Sequence, residues 1–290
     1  MRFTKMQGAG NDFVLVKTNN RQRDWSTLAI AVCDRNYGIG ADGLVLLMPS
    51  SVADLRMRIF NADGSEADAC GNGLRCLVKY YLGEEKASSK SQNITIETMA
   101  GIRPADISII GANSPRIRIG MGKPELGTGD INTKIQPDEG KVIETTPLLT
   151  YAINVGNTEI TLNPISVGNP HAVYFIQEPV SDFPLSQLGP LVEEHRLFPK
   201  KVNFEVVRIL DRQNIEARVW ERGVGETLAC GSGACAVAVA ARQHDYTDNT
   251  ASIKLPGGTL ETEWDGHGEV FLSGPAESVF SGEWPDNGHN

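Results

Sequence analysis

Two cysteines, Cys70 and Cys230, sit in two copies of one pattern, Ala69-Cys70-Gly71-Asn72-Gly73-Leu74 and Ala229-Cys230-Gly231-Ser232-Gly233-Ala234. In both, a thiol precedes a glycine-containing turn that opens a helix-forming run. The first amides of a helix lack partners and carry the positive end of the helix dipole, so a cysteine there is biased toward thiolate. One such thiol is a candidate nucleophile. Two in duplicated contexts imply matched acid/base groups facing one another. A free cysteine is otherwise most often a small buried apolar residue, and that reading is kept for Cys33, Cys76 and Cys235.

The duplication extends beyond the cysteines. At the same offset of 160 residues, Leu55–Phe60 aligns with Ile215–Trp220 and Glu66 with Glu226, without a gap. Both six-residue runs are apolar-rich and read as strands. At an offset of 158, Gly10-Asn11-Asp12-Phe13-Val14 is echoed by Gly168-Asn169-Pro170-His171-Ala172. A long-period repeat of this kind predicts two homologous domains, which a length of 290 residues accommodates.

The elements that must position these groups follow from periodicity. Phe13–Val16 reads as a strand and Ser26–Cys33 as a helix. After Cys70, Leu74, Leu77, Val78 and Tyr81 keep the spacing of a helix with one buried face. Its counterpart, Ala234–Ala241, is apolar on every side and is expected at the centre of a domain, wrapped by strands. Gly120–Pro147, rich in Gly, Pro, Asp and Thr, reads as an interdomain connection followed by a loop-rich insert, and Asp286–Asn290 as a polar, frayed tail.

Composition narrows the function classes. A net charge of −9 argues against a nucleic-acid backbone as partner but leaves room for a small anion in a local site. No apolar run approaches the ~20 residues of a membrane span, and Met1–Gln7 has no secretory apolar core. Five cysteines form an odd set, which points to reduced thiols in a cytoplasmic setting. The Cys70/Cys76 and Cys230/Cys235 spacings lack the two-residue gap of common zinc ribbons, so no metal is expected.

The ordered set Gly8–Phe13, Asn61–Glu66 leading to Cys70, Gly168–His171, Val202–Phe204, and Glu221–Gly223 leading to Cys230 resembles the diaminopimelate epimerase family over almost the full length. The resemblance implies an α/β (α+β) fold of two pseudo-symmetric domains, each a mixed sheet or barrel curled around a central helix. It puts the N-terminal domain at 1–121, completed by 276–290, and the C-terminal domain at 122–275. It also implies cofactor-independent epimerisation of LL-2,6-diaminopimelate to the meso form, in lysine and peptidoglycan precursor biosynthesis, by a homodimer acting on a small amino acid. The site is then expected in a cleft between the domains. Cys70 and Cys230 would exchange the acid and base roles, because a thiol's ordinary pKa near 8.5 lies close to working pH. Amides from Gly71-Asn72 and Gly231-Ser232 would meet the substrate carboxylate and stabilise carbanion charge without pyridoxal phosphate. Arg222 would clamp the distant carboxylate with its guanidinium fork, and Glu221 would accept from the ammonium group. Asn11, Asn61, Asn169 and Asn203 match neutral polar binding residues, and His171 matches a histidine near the catalytic centre.

One position departs from the family pattern: many relatives carry a substrate-contacting glutamine where this chain has Gly43. Two rival readings are a proline racemase-like enzyme, which shares the two-cysteine logic, and a thiol redox sensor using a Cys70–Cys230 disulfide.

Overall fold

The computed structural model describes residues 1–85, 91–110, 114–127, 140–145, 148–156 and 158–285. The chain divides into two compact units, Met1–Gly120 with Ser273–Asn290, and Met121–Leu272.

In the first unit, β1 (Arg2–Gly8) and β2 (Asn11–Lys17) form a hairpin. Its two turn residues, Ala9 and Gly10, both take positive φ (54° and 82°), the geometry that matches strand twist in two-residue turns. The crossover helix α1 (Trp25–Cys33) then brings β3 (Gly43–Met48) parallel to β2. Asp24 caps α1, accepting from the Thr27 amide at 3.0 Å. β4 (Leu55–Asn61) lies antiparallel to β3, and the short β5 (Glu66–Ala67) folds back on β4. After α2 (Gly71–Glu85), β6 (Ser91–Thr98) pairs parallel with β4, and β7 (Gly101–Ile110) and β8 (Ser114–Gly120) continue as an antiparallel meander. The C-terminal segment Glu277–Glu283 returns antiparallel to β1.

β3 is buried at every position, so both sheet faces must be covered. Val14, Val16, Leu44, Leu46 and Met48 pack with Trp25, Leu28 and Val32 of α1. On the opposite face, a Cβ added at Gly73, in the first turn of α2, would meet Ile59 Cδ1 at 3.4 Å and Val45 Cγ2 at 3.5 Å. α2 departs from the expected single buried face: Gly71–Val78 is buried all round, and that stretch includes Arg75 at 0% exposure.

The second unit repeats this plan. β9 (Glu125–Leu126), β10 (Gly140–Glu144), β11 (Thr150–Val155), β12 (Thr158–Ser166) and β13 (Pro170–Phe175) lead to α3 (Leu185–Glu193). β14 (Asn203–Ile209) is parallel to β13, as β3 is to β2, and β15 (Asn214–Glu221) is antiparallel to β14, as β4 is to β3. β16 (Gly225–Thr227) folds back on β15. Then come α4 (Gly231–Gln243), β17 (Thr250–Leu255), β18 (Gly258–Glu263) and β19 (Phe271–Ser273), with β17 parallel to β15. The last strand, Glu277–Glu283, is β20. α3 covers one sheet face through Leu185 and Val192, against Ala172, Phe204 and Val206. α4 is buried at Gly231 and from Gly233 to Ala241, as an all-apolar helix surrounded by strands must be.

The repeat reaches the side chains. Arg58 grips Glu66 with two hydrogen bonds of 2.6 and 2.9 Å, and Arg218 grips Glu226 at 2.8 and 3.0 Å. The stretch read as a loop-rich insert contains strands at Glu125–Leu126 and Gly140–Glu144; residues 128–139 and 146–147, and the tail Asp286–Asn290, lie outside the described residues. α3 carries Pro190 inside it, which hid it from a periodicity reading.

Candidate active site

Each cysteine of the repeat stands at a helix N-terminus, in matching geometry. Cys230 is the N-cap of α4, with extended backbone (φ −116°, ψ 119°), and its sulfur accepts from the Gly233 amide at 3.4 Å. Cys70 Sγ accepts from the Gly73 amide at 3.4 Å. In both copies the cysteine carbonyl starts the helix, with Leu74 N donating at 2.8 Å and Ala234 N at 3.0 Å. Gly71-Asn72 and Gly231-Ser232 are therefore the first helical residues, and their amides belong to the group that a helix cannot satisfy internally.

In the first unit, Asn11 Oδ1 lies 3.8 Å from Cys70 Sγ and accepts from Asn72 Nδ2 at 3.3 Å. The orientation of Asn11 is fixed from behind, because its Nδ2 donates to Asp42 Oδ2 at 2.6 Å. Arg35 bridges Asp42 and Asp12 at 2.8 Å each, and Lys5 pairs with Asp12 at 2.6 Å and donates to the Gly40 carbonyl. Burial works against the Asp12 charge, but hydrogen bonds from Arg35 and Lys5 outweigh it and lower its pKa to about 2. Asn72 is held by Arg75, whose Nη2 donates to its Oδ1 at 2.6 Å, while Nη1 donates to the Gly71 carbonyl at 3.3 Å. Asn61, at the end of β4, donates to Ser65 Oγ at 2.9 Å.

The second unit assembles its own set. Asn169 Nδ2 donates to Ser232 Oγ at 3.3 Å, and Ser232 Oγ lies 3.5 Å from Cys230 Sγ. His171 is buried between Asn169 Oδ1 (3.0 Å from Nε2) and Glu205 Oε1 (2.6 Å from Nδ1). Asn203 spans two segments: it donates to the Pro170 carbonyl and accepts from the Arg222 backbone amide, both at 3.0 Å. Thr227 donates to Glu221 Oε1 at 2.5 Å. The exposed Arg222 side chain reaches the Lys200 carbonyl at 3.1 Å. Glu193 underpins that turn, accepting from Trp220 Nε1 (2.8 Å), Gly223 N (2.9 Å) and Lys201 Nζ (3.2 Å).

Two expectations need correction or completion. A thiolate bias at both helix N-termini does not hold for Cys230, whose pKa is pushed well up. Burial is the largest cause and the Glu221 and Glu205 charges add to it, against hydrogen bonds from Ser232 and the Gly233 amide. Desolvation of the buried sulfur outweighs the helix terminus, so Cys230 rests as a thiol. At Gly43, an added Cβ would lie 2.7 Å from the Phe60 carbonyl oxygen. In this chain a side chain at position 43 would therefore require β4 to move away from β3. Sequence reasoning missed Glu205, Arg75 and Glu193. The signal for the first was a lone acid inside the apolar strand Asn203-Phe204-Glu205-Val206-Val207. Cys33 and Cys76 are buried, and desolvation pushes each thiol up to about 12. Among the described residues, no group of three or more His, Cys, Asp and Glu is placed to hold a metal ion, and no helix is long and apolar enough to cross a membrane.

Solved structures define the fold class. The chain superposes on a phenazine biosynthesis protein of the PhzF family from Bacillus anthracis with a TM-score of 0.66 and 17% identity, covering 98% of this chain and 99% of that one. A probable proline racemase from Agrobacterium radiobacter gives 0.68 and 14%, covering 100% and 94%. The α/β fold is thus one that these two proteins share. The sequence narrows the class: residues 3–127 and 164–279 match the model of the family described as diaminopimelate epimerase. Curated diaminopimelate epimerases are 43% identical in Pelotomaculum thermopropionicum and 44% in Agathobacter rectalis, each match covering 98% of this chain and 99% of the relative. One from Methanococcus maripaludis is 42% identical, with the same coverage. The chain belongs to the diaminopimelate epimerase family, and is an epimerase, a kind of isomerase.

Proposed function

We propose that this chain interconverts LL- and meso-2,6-diaminopimelate by a two-base reaction, without metal or pyridoxal phosphate. The observation that carries this reading is the duplicated site: two cysteines, each the sulfur acceptor at a helix N-terminus, each with an asparagine from the first β-hairpin or its counterpart nearby. Inverting Cα needs a proton removed from one face and another delivered to the opposite face, and two sulfurs supply both without turning the substrate. Cys230, held as a thiol, is the proton donor in the direction that begins with Cys70 as base. In the reverse direction Cys230 must first lose its proton, and substrate cations that offset Glu221 and Glu205 favour that loss.

The amides of Gly71, Asn72, Gly231 and Ser232 are assigned to the carboxylate at the reacting centre, where they stabilise the charge that spreads from Cα. Glu221 takes the ammonium group, Arg222 the distant carboxylate, and Asn11, Asn61, Asn169 and Asn203 the remaining polar contacts, with His171 beside the catalytic centre. The two epimerase domains of this reading are 1–121 with 276–290, and 122–275. The reading extends to a homodimer in the cytoplasm, where thiols stay reduced, serving lysine and cell-wall precursor biosynthesis.

The test is exchange of the Cα proton into deuterated solvent, in the presence of dithiol, with LL-diaminopimelate and with proline. Exchange and inversion of diaminopimelate alone are expected, and Cys70→Ser and Cys230→Ser should each remove most turnover while leaving the fold intact, since a hydroxyl is a far weaker base near neutral pH. Turnover of proline instead would install the racemase reading. Near-wild-type inversion by either folded serine variant would end the two-base mechanism.

A further inference from the structure

The second unit buries a carboxylate where the first buries a methyl group. Val45 pairs with Ile59 across β3 and β4, and Glu205 pairs with Val219 across β14 and β15, so the two positions are equivalent at the repeat offset. Both lie under the first turn of the inner helix. An added Cβ on Gly73 would meet Val45 Cγ2 at 3.5 Å, and one on Gly233 would meet Glu205 Oε1 at 2.9 Å. The neighbouring position shows the same exchange. Phe13 stands opposite Gly43 and His171 opposite Asn203, so the apolar pair Phe13 and Val45 becomes the polar pair His171 and Glu205.

Stability does not explain this exchange. Both side chains are 0% exposed, and Glu205 Oε2 is buried with no hydrogen-bond partner among the described residues. Burying such a pair costs several kcal/mol per charged group, and packed apolar residues of similar volume do as well or better. The first unit builds the same sheet and helix without it. What the pair changes is the group attached to it. Both ring nitrogens of His171 face oxygen acceptors, Glu205 Oε1 at 2.6 Å and Asn169 Oδ1 at 3.0 Å. A carboxylate oxygen and an amide oxygen can only accept, so each ring nitrogen is placed to donate. Asn169, with its oxygen committed to His171, turns its NH2 to Ser232 Oγ, which lies 3.5 Å from Cys230 Sγ.

We propose that Glu205 is a positioning residue for the Cys230 half of the reaction: it keeps His171 a donor at both nitrogens, and so fixes the Asn169 amide and the Ser232 hydroxyl beside the thiol. Glu205 touches no reacting atom. Beside the direct effect of its charge on the thiol, it acts through His171, and the chain of contacts sets the polarity of the hydrogen bonds that meet the sulfur. In its place, a glutamine accepts from Nδ1–H but brings no extra proton. Nε2 is then an acceptor, the Asn169 amide flips to donate to it, and the Ser232 hydroxyl loses its donor.

The proposal rests on the epimerase reading only where turnover is the readout, so two readouts are paired. In kinetics on LL-diaminopimelate, Glu205→Gln is expected to lower kcat on the order of 10–100-fold, the range for groups that orient a working side chain, with KM changed by less than about twofold. Glu205→Gln combined with His171→Asn should be no slower than His171→Asn alone. In selectively 15N-labelled protein, with the signal assigned through His171→Asn, His171 should show two protonated ring nitrogens in the wild type and a single tautomer in Glu205→Gln. Glu205→Val, which copies Val45, is a second variant with a precedent for fitting. Wild-type kcat in Glu205→Gln, multiplying losses in the double variant, or a neutral single tautomer in the wild type would each overturn the proposal. An inactive wild type would strike the epimerase reading and leave the NMR arm to decide the role of Glu205.

Discussion

At the scale of the residue, the two cysteines share a position and differ in surroundings. Each sulfur accepts the third amide of its helix at 3.4 Å. Near Cys70 stands the buried cation Arg75, one turn along α2; near Cys230 stand the anions Glu205 and Glu221. Both patterns were legible in the sequence as far as the duplicated Cys-Gly-x-Gly, because spacing alone puts a thiol before a helix. The electrostatic difference was not, because it depends on side chains 9 and 25 residues upstream of Cys230 and on enclosure, which spacing does not encode. Arg222 shows the converse limit. Its backbone amide is pinned by Asn203, while the exposed guanidinium reaches only a carbonyl among the described residues, so its orientation is set by the turn rather than by a neighbouring acid. Arg222→Lys is expected to raise KM for diaminopimelate about tenfold or more, because an ammonium group cannot reproduce a two-bond fork on carboxylate. A truncated amino acid lacking the distal carboxylate should lose little. Equal losses for the two substrates would take Arg222 away from the distant end.

At the scale of the element, the sheet and inner helices followed from pattern, whereas the supports of the site did not. β2, β4, α1, α2, β15 and α4 were readable from alternation, apolar runs and the 3.6-residue period. α3 was not, since Pro190 and Gly189 sit inside it and its order comes from packing: an added Cβ on Gly189 would fall 2.6 Å from the Trp220 ring. That flat contact brings Glu193, at the end of α3, under the Glu221-Arg222-Gly223 turn. Its two oxygens are both used, Oε2 by the Trp220 indole and Oε1 by the Gly223 amide and Lys201. A glutamine has only one carbonyl oxygen, so Glu193→Gln leaves the indole or the amide facing an NH2 group, at a cost of ~1–3 kcal/mol. The expected outcome is a lower Tm together with a severalfold higher KM and a kcat within about twofold of wild type, because the turn carries a binding residue and no reacting group. A Tm loss with unchanged KM would show that α3 stabilises the unit without setting the turn.

At the scale of the whole molecule, the chain builds one plan twice and encloses most of its thiols in doing so. Cys33, Cys76, Cys230 and Cys235 are all buried, and only Cys70 is partly exposed. Cys33 lies in α1 and Cys76 in α2, on opposite faces of one sheet, and burial pushes both thiols to about 12. The consequence for stability has a definite sign. A thiol raised in the fold keeps its proton there to higher pH than in the unfolded chain, where it is lost near 8.5. Unfolding therefore releases protons above that value, and the stability these thiols contribute is complete below it and declines as pH rises toward about 12. At the other edge the Asp12 carboxyl, held at about 2 by Arg35 and Lys5 against the cost of burial, contributes stability that is lost as pH falls from its ordinary value through about 2. Cys76, at 0% exposure, isolates the alkaline limb. Urea unfolding in reductant at pH 8 and pH 10 should show wild type losing roughly 1–2 kcal/mol more across that interval than Cys76→Ala. The cavity left by alanine lowers stability at both pH values alike and cancels in the difference. Equal pH losses in the two proteins would mean that the Cys76 thiol reaches solvent in the folded state, and that the first turns of α2, on which Cys70 and Asn72 depend, are less enclosed than their packing requires.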